Sequence, residues 1–202
     1  NTLDSISWMA AMDGNKDISS MSVALGRILR WSISNKDNTV SLGEEIKNVE
    51  DYLTIQQMRY GESFHYYIYI SEEQKRKTVP KMIVQPLAEN ALIHGLEQKE
   101  GEKLIIILTQ DCGDYLEIKI ADNGLGMDTE KAGKILEADS EQLSSSNQGV
   151  GVYNVHKRIQ MMYGENYGLR ITSEPGRGTE ASIYIPNSAD WEGENGKSFD
   201  RR

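Results

Sequence analysis

The sequence predicts an α+β protein, in which a helical N-terminal region precedes an α/β sandwich with a mixed, largely antiparallel sheet. Residues 1–61 carry apolar residues at the three- and four-residue spacing of amphipathic helices. After Gly61 the pattern changes to runs of β-branched and aromatic residues, which are typical of strands. Helical segments lie between several of these runs, and such a mixture indicates helices packed against a sheet.

The composition is that of a folded protein without a nucleic-acid partner. The 202 residues suffice for one large domain or two small ones, and 26% of them are charged. The net charge is -9 with no basic cluster, whereas nucleic-acid binding depends on Lys and Arg that meet phosphates. The single cysteine, Cys112, excludes an internal disulfide and suits a reducing compartment. The longest apolar run, "LIIIL", is far short of the roughly 20 residues that span a bilayer.

Three segments of the N-terminal region have helical patterns. The first residue is Asn and "NTLDSISWMA" already has helical spacing, so we interpret the chain as a fragment that begins inside a helix. Ser41 and Glu44 have the spacing of a capping box, and Gly61 lies where a helix C-cap is common. Such helices bury little area alone, so they should pack on the rest of the chain or on a second copy. We expect a homodimer through their apolar stripes, which are Ile18, Met21, Leu25, Ile28 and Leu29, and Leu42, Ile46, Val49 and Leu53.

The second half mixes strands with helices. "KLIIILTQ" and "YLEIKIAD" are predicted strands that form a hairpin at "DCGD". "KMIVQPLAENALIHG", 81–95, has a helical pattern that Pro86 should kink or split. "VGVYNVHKRIQMMYG" is a predicted helix that ends at Gly164, before two strands joined by "PGRG". Residues 127–148 are polar and irregular, which favours a functional lid, and 188–202 are predicted to form a flexible tail.

Four short motifs follow one another in this half. "ENALIHG" places Asn90 and His94 on one helix face with Glu89 nearby, and a helical Asn beside an acid can ligate Mg²⁺. "DNGLG" and "QGVGVYN" contain paired glycines, and the second pair precedes a helix whose free N–H groups can meet a phosphate. "GRGT", 176–179, is a Gly-rich turn between strands. Each motif is weak alone, because polar pairs are common on solvated helices and paired glycines also mark tight turns.

The order of the four motifs resembles a known family. E-N-A-x-x-H-G, D-x-G-x-G, G-x-G-x-x-N and G-x-G-T are similar to the N, G1, G2 and G3 boxes of the Bergerat ATP-binding fold. The helices match too: "SLGEEIKNVEDYLTIQQMRYG" and "VPKMIVQPLAENALIHG" resemble bacterial sensor histidine kinases of the LytS/YehU type. The resemblance implies a dimerisation and phosphotransfer region over 1–61, an ATP-binding catalytic domain over 62–187 and a tail over 188–202.

The resemblance implies a role for each box. Asn90 would hold Mg²⁺ against the triphosphate of ATP, and Glu89 would be a catalytic base or a water-positioning group. Asp122 would accept a hydrogen bond from the adenine amino group, which suits a carboxylate because it is an acceptor only. Thr179 would support water molecules around the base. Gly124 and Gly126 would bring the main chain close to the nucleotide, while Gly149 and Gly151 would start a helix at the phosphates.

Two features depart from the family pattern. The family often carries a Lys just before the His of the first box, and here that residue is Ile93. His94, Lys157 or Arg158 would then supply the cation on the phosphate side. In the resembled kinases the phospho-accepting histidine lies in a "HFLYNTL"-like segment, and this chain begins at "NTL". The resemblance therefore places the acceptor four residues upstream of Asn1, outside this fragment.

The resemblance implies a two-component kinase, and two alternatives stay open. The kinase would move the γ-phosphoryl group of ATP to a histidine and then to a response regulator. This part of the chain would be cytoplasmic, in a parent protein that an upstream region anchors in the bacterial cell membrane. The first alternative is an ATP hydrolase of the same fold, in which Glu89 activates water. The second alternative is a nucleotide-binding interaction module without chemistry, which the absence of Lys at Ile93 would suit.

Overall fold

The N-terminal region consists of three helices. The structure is a computed structural model that describes residues 2–34, 38–137 and 149–187. The helices are α1 (Thr2–Met12), α2 (Lys16–Ser34) and α3 (Leu42–Tyr60). The predicted capping box is confirmed, because the Ser41 hydroxyl accepts from the Glu44 N–H and the Glu44 carboxylate accepts from the Ser41 N–H. Gly61 ends α3 with a φ of 64°. No helix among the described residues combines the length and hydropathy that crossing a bilayer requires.

A five-stranded sheet forms the second half, and its predicted mixed character is confirmed. Strand β2 pairs in parallel with β4, while β4–β5, β5–β7 and β7–β6 pair antiparallel, in the order β2-β4-β5-β7-β6. A separate antiparallel ladder joins β1 to β3, and neither of these short strands was predicted. The strands are β1 (Thr39–Ser41), β2 (Phe64–Tyr69), β3 (Thr78–Pro80), β4 (Lys103–Asp111), β5 (Tyr115–Asp122), β6 (Gly168–Glu174) and β7 (Gly178–Pro186).

The remaining helices differ from the predictions at two places. The helix predicted over 81–95 begins only at Gln85, so Pro86 lies in its first turn. There it neither kinks nor splits the helix, because the N–H that proline lacks has no partner in a first turn. The segment 127–148 is not wholly irregular, since a helix occupies part of it; residues 138–148, like the tail 188–202, lie outside the described residues. These helices are α4 (Glu72–Lys75), α5 (Gln85–Asn90) with a π-helical turn (Ala91–Leu96), α6 (Thr129–Glu137) and α7 (Val150–Tyr163).

One hydrophobic core joins α3 to the sheet. The alternation of β5 turns Leu116, Ile118 and Ile120 toward the helices, where they are buried with residues of α5 and α7. The apolar stripe of α3 belongs to the same core, so its predicted place in a dimer interface is wrong. Sequence periodicity identifies a buried face but not the surface that covers it. The stripe of α2 is more exposed, at 46% for Ile18 and 41% for Leu25.

Two buried carboxylates attach α3 to its neighbours. Asp51 accepts two hydrogen bonds from the Arg27 guanidinium of α2, at 2.7 and 2.6 Å. Glu45 is fully buried and accepts from the N–H groups of the loop before α5, those of Met82, Ile83 and Val84. Burial raises the pKa of the Glu45 carboxyl, while these three donors act in the opposite direction. The start of α5 is therefore fixed to α3 before any ligand is considered.

Candidate nucleotide site

Asp122 lies at the end of β5, where the sheet meets the π-helical turn. Its neighbour across the ladder is Thr179 of β7. One carboxylate oxygen accepts from the Gly124 N–H at 2.8 Å. By the alternation of β5, the side chain of Asp122 faces the helices, as Ile120 does. Asp122, the acid of the second motif, is therefore a half-buried acceptor next to the helix that carries the first motif.

Gly95 and Gly124 allow this close approach. A Cβ on Gly95 would lie 2.7 Å from a carboxylate oxygen of Asp122, and a Cβ on Gly124 would lie 2.2 Å from the Gly95 carbonyl oxygen. Real Cβ atoms do not tolerate such distances, so both positions require glycine. The Gly95 carbonyl also accepts from the Leu125 N–H at 3.0 Å, which binds the π-helical turn to the loop after β5.

A small network of hydroxyl groups joins this loop to the β6–β7 turn. The Ser173 hydroxyl donates to the Gly178 carbonyl at 3.0 Å and accepts from the Met127 N–H at 2.9 Å. Ser173 and Thr179 hydroxyl oxygens are 2.9 Å apart. Because the Ser173 hydroxyl donates its one proton to the Gly178 carbonyl, the Thr179 hydroxyl is the donor to Ser173. The lone pairs of the Thr179 oxygen can then accept from another donor. Gly126 packs against the carbonyl of Glu174, so the second and fourth motifs meet.

The electrostatic state of Asp122 favours a ligand with hydrogen-bond donors. Burial raises the pKa of its carboxyl from 3.8 to about 6, against the opposing effect of the Gly124 and Thr179 N–H groups. The proton is thus held more tightly in the folded chain, and this contribution to stability is complete below pH 3.8 and lost as pH rises through 6. At neutral pH the carboxylate is ionised, and no cation among the described residues pairs with it. A donor from a ligand would offset part of the cost of burying this charge.

The first motif lies on α5 and the π-helical turn. Glu89 and Asn90 are half-buried at the end of α5, and His94 is exposed on the next turn. Glu89 accepts a hydrogen bond from the Gln85 side-chain amide at 2.7 Å. Single π-helical turns often occur at functional sites. Among the described residues, no group of three or more acidic, His or Cys side chains could hold a metal ion. Asn90 therefore stays the one protein ligand predicted for Mg²⁺.

The third motif begins α7 beside α5. Gly149 precedes the helix with a φ of 83°, a left-handed conformation that other residues rarely adopt. A Cβ on Gly151 would lie 3.5 Å from the Cβ of Pro86, which shows that the first turns of α7 and α5 are close. The helix N-terminus and the residues of the first motif therefore lie on the same side of the sheet.

A groove of about 510 Å³ opens at the same end of the sheet, but it is a poor candidate for the binding site of a nucleotide base. Asp122, Ser173 and Thr179 line one part of it, and Ala121, Thr172 and Glu180, which alternate with them along the strands, line another. By this alternation Ala121, Thr172 and Glu180 point away from the helices and from the first and third motifs, so most of the groove opens on the other face of the sheet. We place the candidate site on the helical side, where the Asp122 carboxylate points.

The chain is similar to known sensor kinases along most of its length. Residues 76–189 match the family of histidine kinase-, DNA gyrase B- and HSP90-like ATPases, and residues 1–64 match the histidine kinase family. The chain belongs to this ATPase family. It is 40% identical over 186 residues to the sensor histidine kinase YesM of Bacillus subtilis, covering 92% of this chain and 30% of YesM. It is 34% identical over 164 residues to YpdA of Escherichia coli, covering 81% of this chain and 27% of YpdA.

Solved histidine kinase domains share the fold of this family member. The histidine kinase domain of the blue-light activated kinase EL346 of Erythrobacter litoralis aligns with a TM-score of 0.52 at 17% identity, over 92% of this chain and 82% of that chain. The catalytic domain of the histidine kinase ThkA aligns with a TM-score of 0.54 at 15% identity, over 73% of this chain and 94% of that one. The resemblance to histidine kinases is thus confirmed, and ATP is the ligand that the family implies for the site.

The structure brings the predicted residues of the ATPase family into two groups. Asp122, Gly124, Gly126 and Thr179 meet at the ends of β5 and β7. The second group lies on the neighbouring helices and consists of Glu89, Asn90, His94, Gly149 and Gly151. Sequence reasoning missed Gly95 as the surface against Asp122, Ser173 as the partner of Thr179, and Gln85 as the partner of Glu89. The four-residue spacing of Gln85 and Glu89 was a signal that could have been used.

The glycine contact predicts a specific loss of stability. In Gly95→Ala the new methyl group must displace the Asp122 carboxylate, and such overpacking costs about 1–3 kcal/mol of unfolding free energy. Gly133→Ala is the matched control, because a Cβ on this helical glycine meets no atom within 4 Å, and we expect it to be neutral or stabilising by up to about 1 kcal/mol. Urea unfolding measures both. Equal stability of the two variants would contradict the contact.

Proposed function

We propose that this chain is the ATP-binding and dimerisation core of a two-component sensor histidine kinase. The whole protein would transfer the γ-phosphoryl group of ATP to a histidine and then to a response regulator. The observation that carries the proposal is the half-buried carboxylate of Asp122, which ends β5 beside the helix of the first motif. The chain spans about a third of the length of the relatives that it matches, so the activity concerns the longer protein.

Asp122 would select adenine by its hydrogen-bonding character. An ionised carboxylate only accepts, and adenine presents an amino donor at the position where guanine presents an acceptor. Guanine in the same pose would place two acceptors against each other, and an unpaired acceptor in a closed site is costly. The Thr179 hydroxyl, which donates to Ser173, keeps acceptor capacity for a water molecule beside the base.

The phosphate groups would lie between α5 and the start of α7. Asn90 would supply one oxygen to Mg²⁺, and this ion usually keeps several waters and takes phosphate oxygens as its other ligands. The free N–H groups at the start of α7, after Gly149, suit the negative charge of phosphates. Bound Mg²⁺ would neutralise charge on the transferring group. Glu89 would accept the proton of the attacking group or orient that group.

Among the three candidates for a phosphate-side cation, we favour His94. Arg158 donates to the Lys81 carbonyl at 2.6 Å, in the loop before α5. Lys157 donates to Gln160 at 3.3 Å and lies over the Tyr153 ring. His94 is exposed and follows Asn90 by four residues, and the pattern E-N-A-x-x-H-G puts the two on one side of the helix.

Dimerisation would use the exposed apolar surface of α1 and α2. Trp8 is 66% exposed and Met12 is 69% exposed, both on α1. Exposed apolar surface of this extent is typical of a contact with another protein, and a second copy suits a histidine kinase family. The other exposed apolar residues of the two helices are Ile6, Met9, Ile18, Met21, Val23, Leu25, Leu29 and Ile33.

The adenine contact predicts a loss of affinity in Asp122→Asn. This variant keeps the size of the side chain but removes its charge, and a hydrogen bond to a charged group contributes about 1.5–3 kcal/mol. We therefore expect ATP to bind roughly 10- to 100-fold more weakly, with the preference over GTP reduced. Calorimetric titration of both nucleotides measures this. Unchanged ATP affinity in a folded variant would contradict the role of Asp122.

The same titration at lower pH separates the charge of Asp122 from its shape. With a pKa of about 6, the carboxyl of the free protein is about 90% protonated at pH 5, and that proton competes with the adenine donor. Between pH 7 and pH 5 the affinity of the unaltered chain for ATP should fall about 10-fold more than that of Asp122→Asn. The protonation of ATP itself affects both proteins equally, so the comparison with the variant removes its effect. Parallel pH profiles would count against an ionised acceptor.

The proposed kinase activity is tested by mapping the phosphorylated residue. We expect the full-length protein, incubated with Mg²⁺ and γ-labelled ATP, to acquire acid-labile phosphate on a histidine upstream of Asn1. His65 lies in β2, His94 lies in the π-helical turn after α5, and His156 accepts a hydrogen bond from the Leu169 N–H. Phosphate on any of these three would overturn the assignment. Steady phosphate release without protein labelling would indicate a hydrolase, and binding without either would indicate an interaction module.

A further inference from the structure

Two buried side-chain amides connect α3 to Glu89. The Asn48 amide nitrogen donates to the Gln85 side-chain oxygen at 2.5 Å, and the Gln85 amide nitrogen donates to a Glu89 carboxylate oxygen at 2.7 Å. Asn48 is 4% exposed and Gln85 is 9% exposed. The proposed mechanism assigns no role to either residue. Buried polar side chains need partners, and here each amide is the partner of the next group in the chain.

The direction of this chain of hydrogen bonds is fixed at its Glu89 end. An ionised carboxylate accepts only, so the group of Gln85 that faces Glu89 must be its NH₂. The Gln85 oxygen then faces Asn48, which must present its own NH₂. A rotation of the Gln85 amide by 180° would set oxygen against the carboxylate and NH₂ against NH₂. The chain therefore holds Gln85 in one orientation and offers Glu89 one defined donor.

Helix α3 runs alongside Glu89 beyond this point. Tyr52 is one helical turn after Asn48. Its pKa is raised, first by burial and next by the negative charge of Glu89. The charge of Glu89 therefore acts on Tyr52, while Gln85 links the same carboxylate to Asn48 one turn earlier.

The amide chain is not needed to attach α5 to α3. Glu45 already binds the loop before α5 through three N–H groups. Leu87 and Val84 are in the same buried core as Leu53. The contact that Gln85 adds, and that neither Glu45 nor the core supplies, is the donor to the Glu89 carboxylate. This hydrogen bond restricts the rotamer of Glu89, a long side chain whose ordering otherwise costs conformational entropy.

We propose that Gln85, held by Asn48, is a positioning residue that fixes the Glu89 carboxylate for phosphoryl transfer. This inference rests on the proposed function, in which Glu89 contacts the reacting group. A base must lie within hydrogen-bond reach of the proton that it takes, and a carboxylate free to rotate meets this condition only part of the time. Pre-organisation of this kind increases the rate of the chemical step and leaves nucleotide binding unchanged.

The test compares two Gln→Met variants of the full-length protein. Gln85→Met keeps the length of the side chain but removes the donor to Glu89. Gln57→Met is the matched control, because Gln57 is a half-buried residue of α3, the helix of Asn48, and its side-chain amide donates to the Phe64 carbonyl and not to Glu89. Autophosphorylation at saturating Mg-ATP should fall about tenfold in Gln85→Met, with KM within about twofold, and should be nearly unchanged in Gln57→Met. A raised KM with an unchanged maximal rate would overturn the positioning role.

Two further comparisons separate the positioning role from a folding defect and from the proposed role of Glu89. Asn48→Leu/Gln85→Met removes both amides, so that no buried donor is left unpaired, and should show the same tenfold loss. In a Glu89→Gln background, Gln85→Met should cause no further loss, because the two residues act as a unit. If Glu89→Gln is impaired and Gln85→Met multiplies that defect, the positioning role fails alone. If Glu89→Gln retains the full rate, the proposed role of Glu89 fails as well.

Discussion

The carboxylate of Asp122 lies against the backbone of Gly95, and the geometry of the nucleotide site depends on this contact. It is possible only because Gly95 and Gly124 have no side chains. The contact brings the end of a strand next to the helix that carries Glu89 and Asn90. It also leaves the carboxylate half-buried, with no cation beside it in the part of the chain that the structure describes, and burial raises its pKa to about 6. In the proposed function, this site would take a ligand that brings a hydrogen-bond donor to Asp122 and phosphates to the helices.

Helix α3 connects this site to the surface proposed for dimerisation. Its apolar face belongs to the core of the ATPase fold, so it is not free to form an interface by itself. Its polar residues face two partners: Asp51 pairs with Arg27 of α2, while Asn48, one turn earlier, begins the amide chain to Glu89. The hydrophobic core continues across the predicted boundary at residue 61. Helix α3 thus contacts α2 directly and is linked to the proposed catalytic group through Gln85.

Most elements of the fold were predictable because local chemistry determines them. The capping box at Ser41 and the hairpin between β4 and β5 depend on residues within a few positions of each other. The errors concern contacts between distant segments. The pattern of α3 showed an apolar face but not that the sheet covers it, and Pro86 was taken as a break although it begins a helix. Gly95 could not be recognised as the surface against Asp122, because no local pattern records which side chain approaches a glycine.

The position of the adenine base tests the central claim most directly. A crystal structure of this chain with Mg²⁺ and a non-hydrolysable ATP analogue measures it. We expect the adenine amino group to lie within about 3.2 Å of an Asp122 carboxylate oxygen, on the side of the sheet that α5 and α7 cover. Adenine bound instead in the groove on the opposite face, against Thr172 and Glu180, would contradict the assignment of the site.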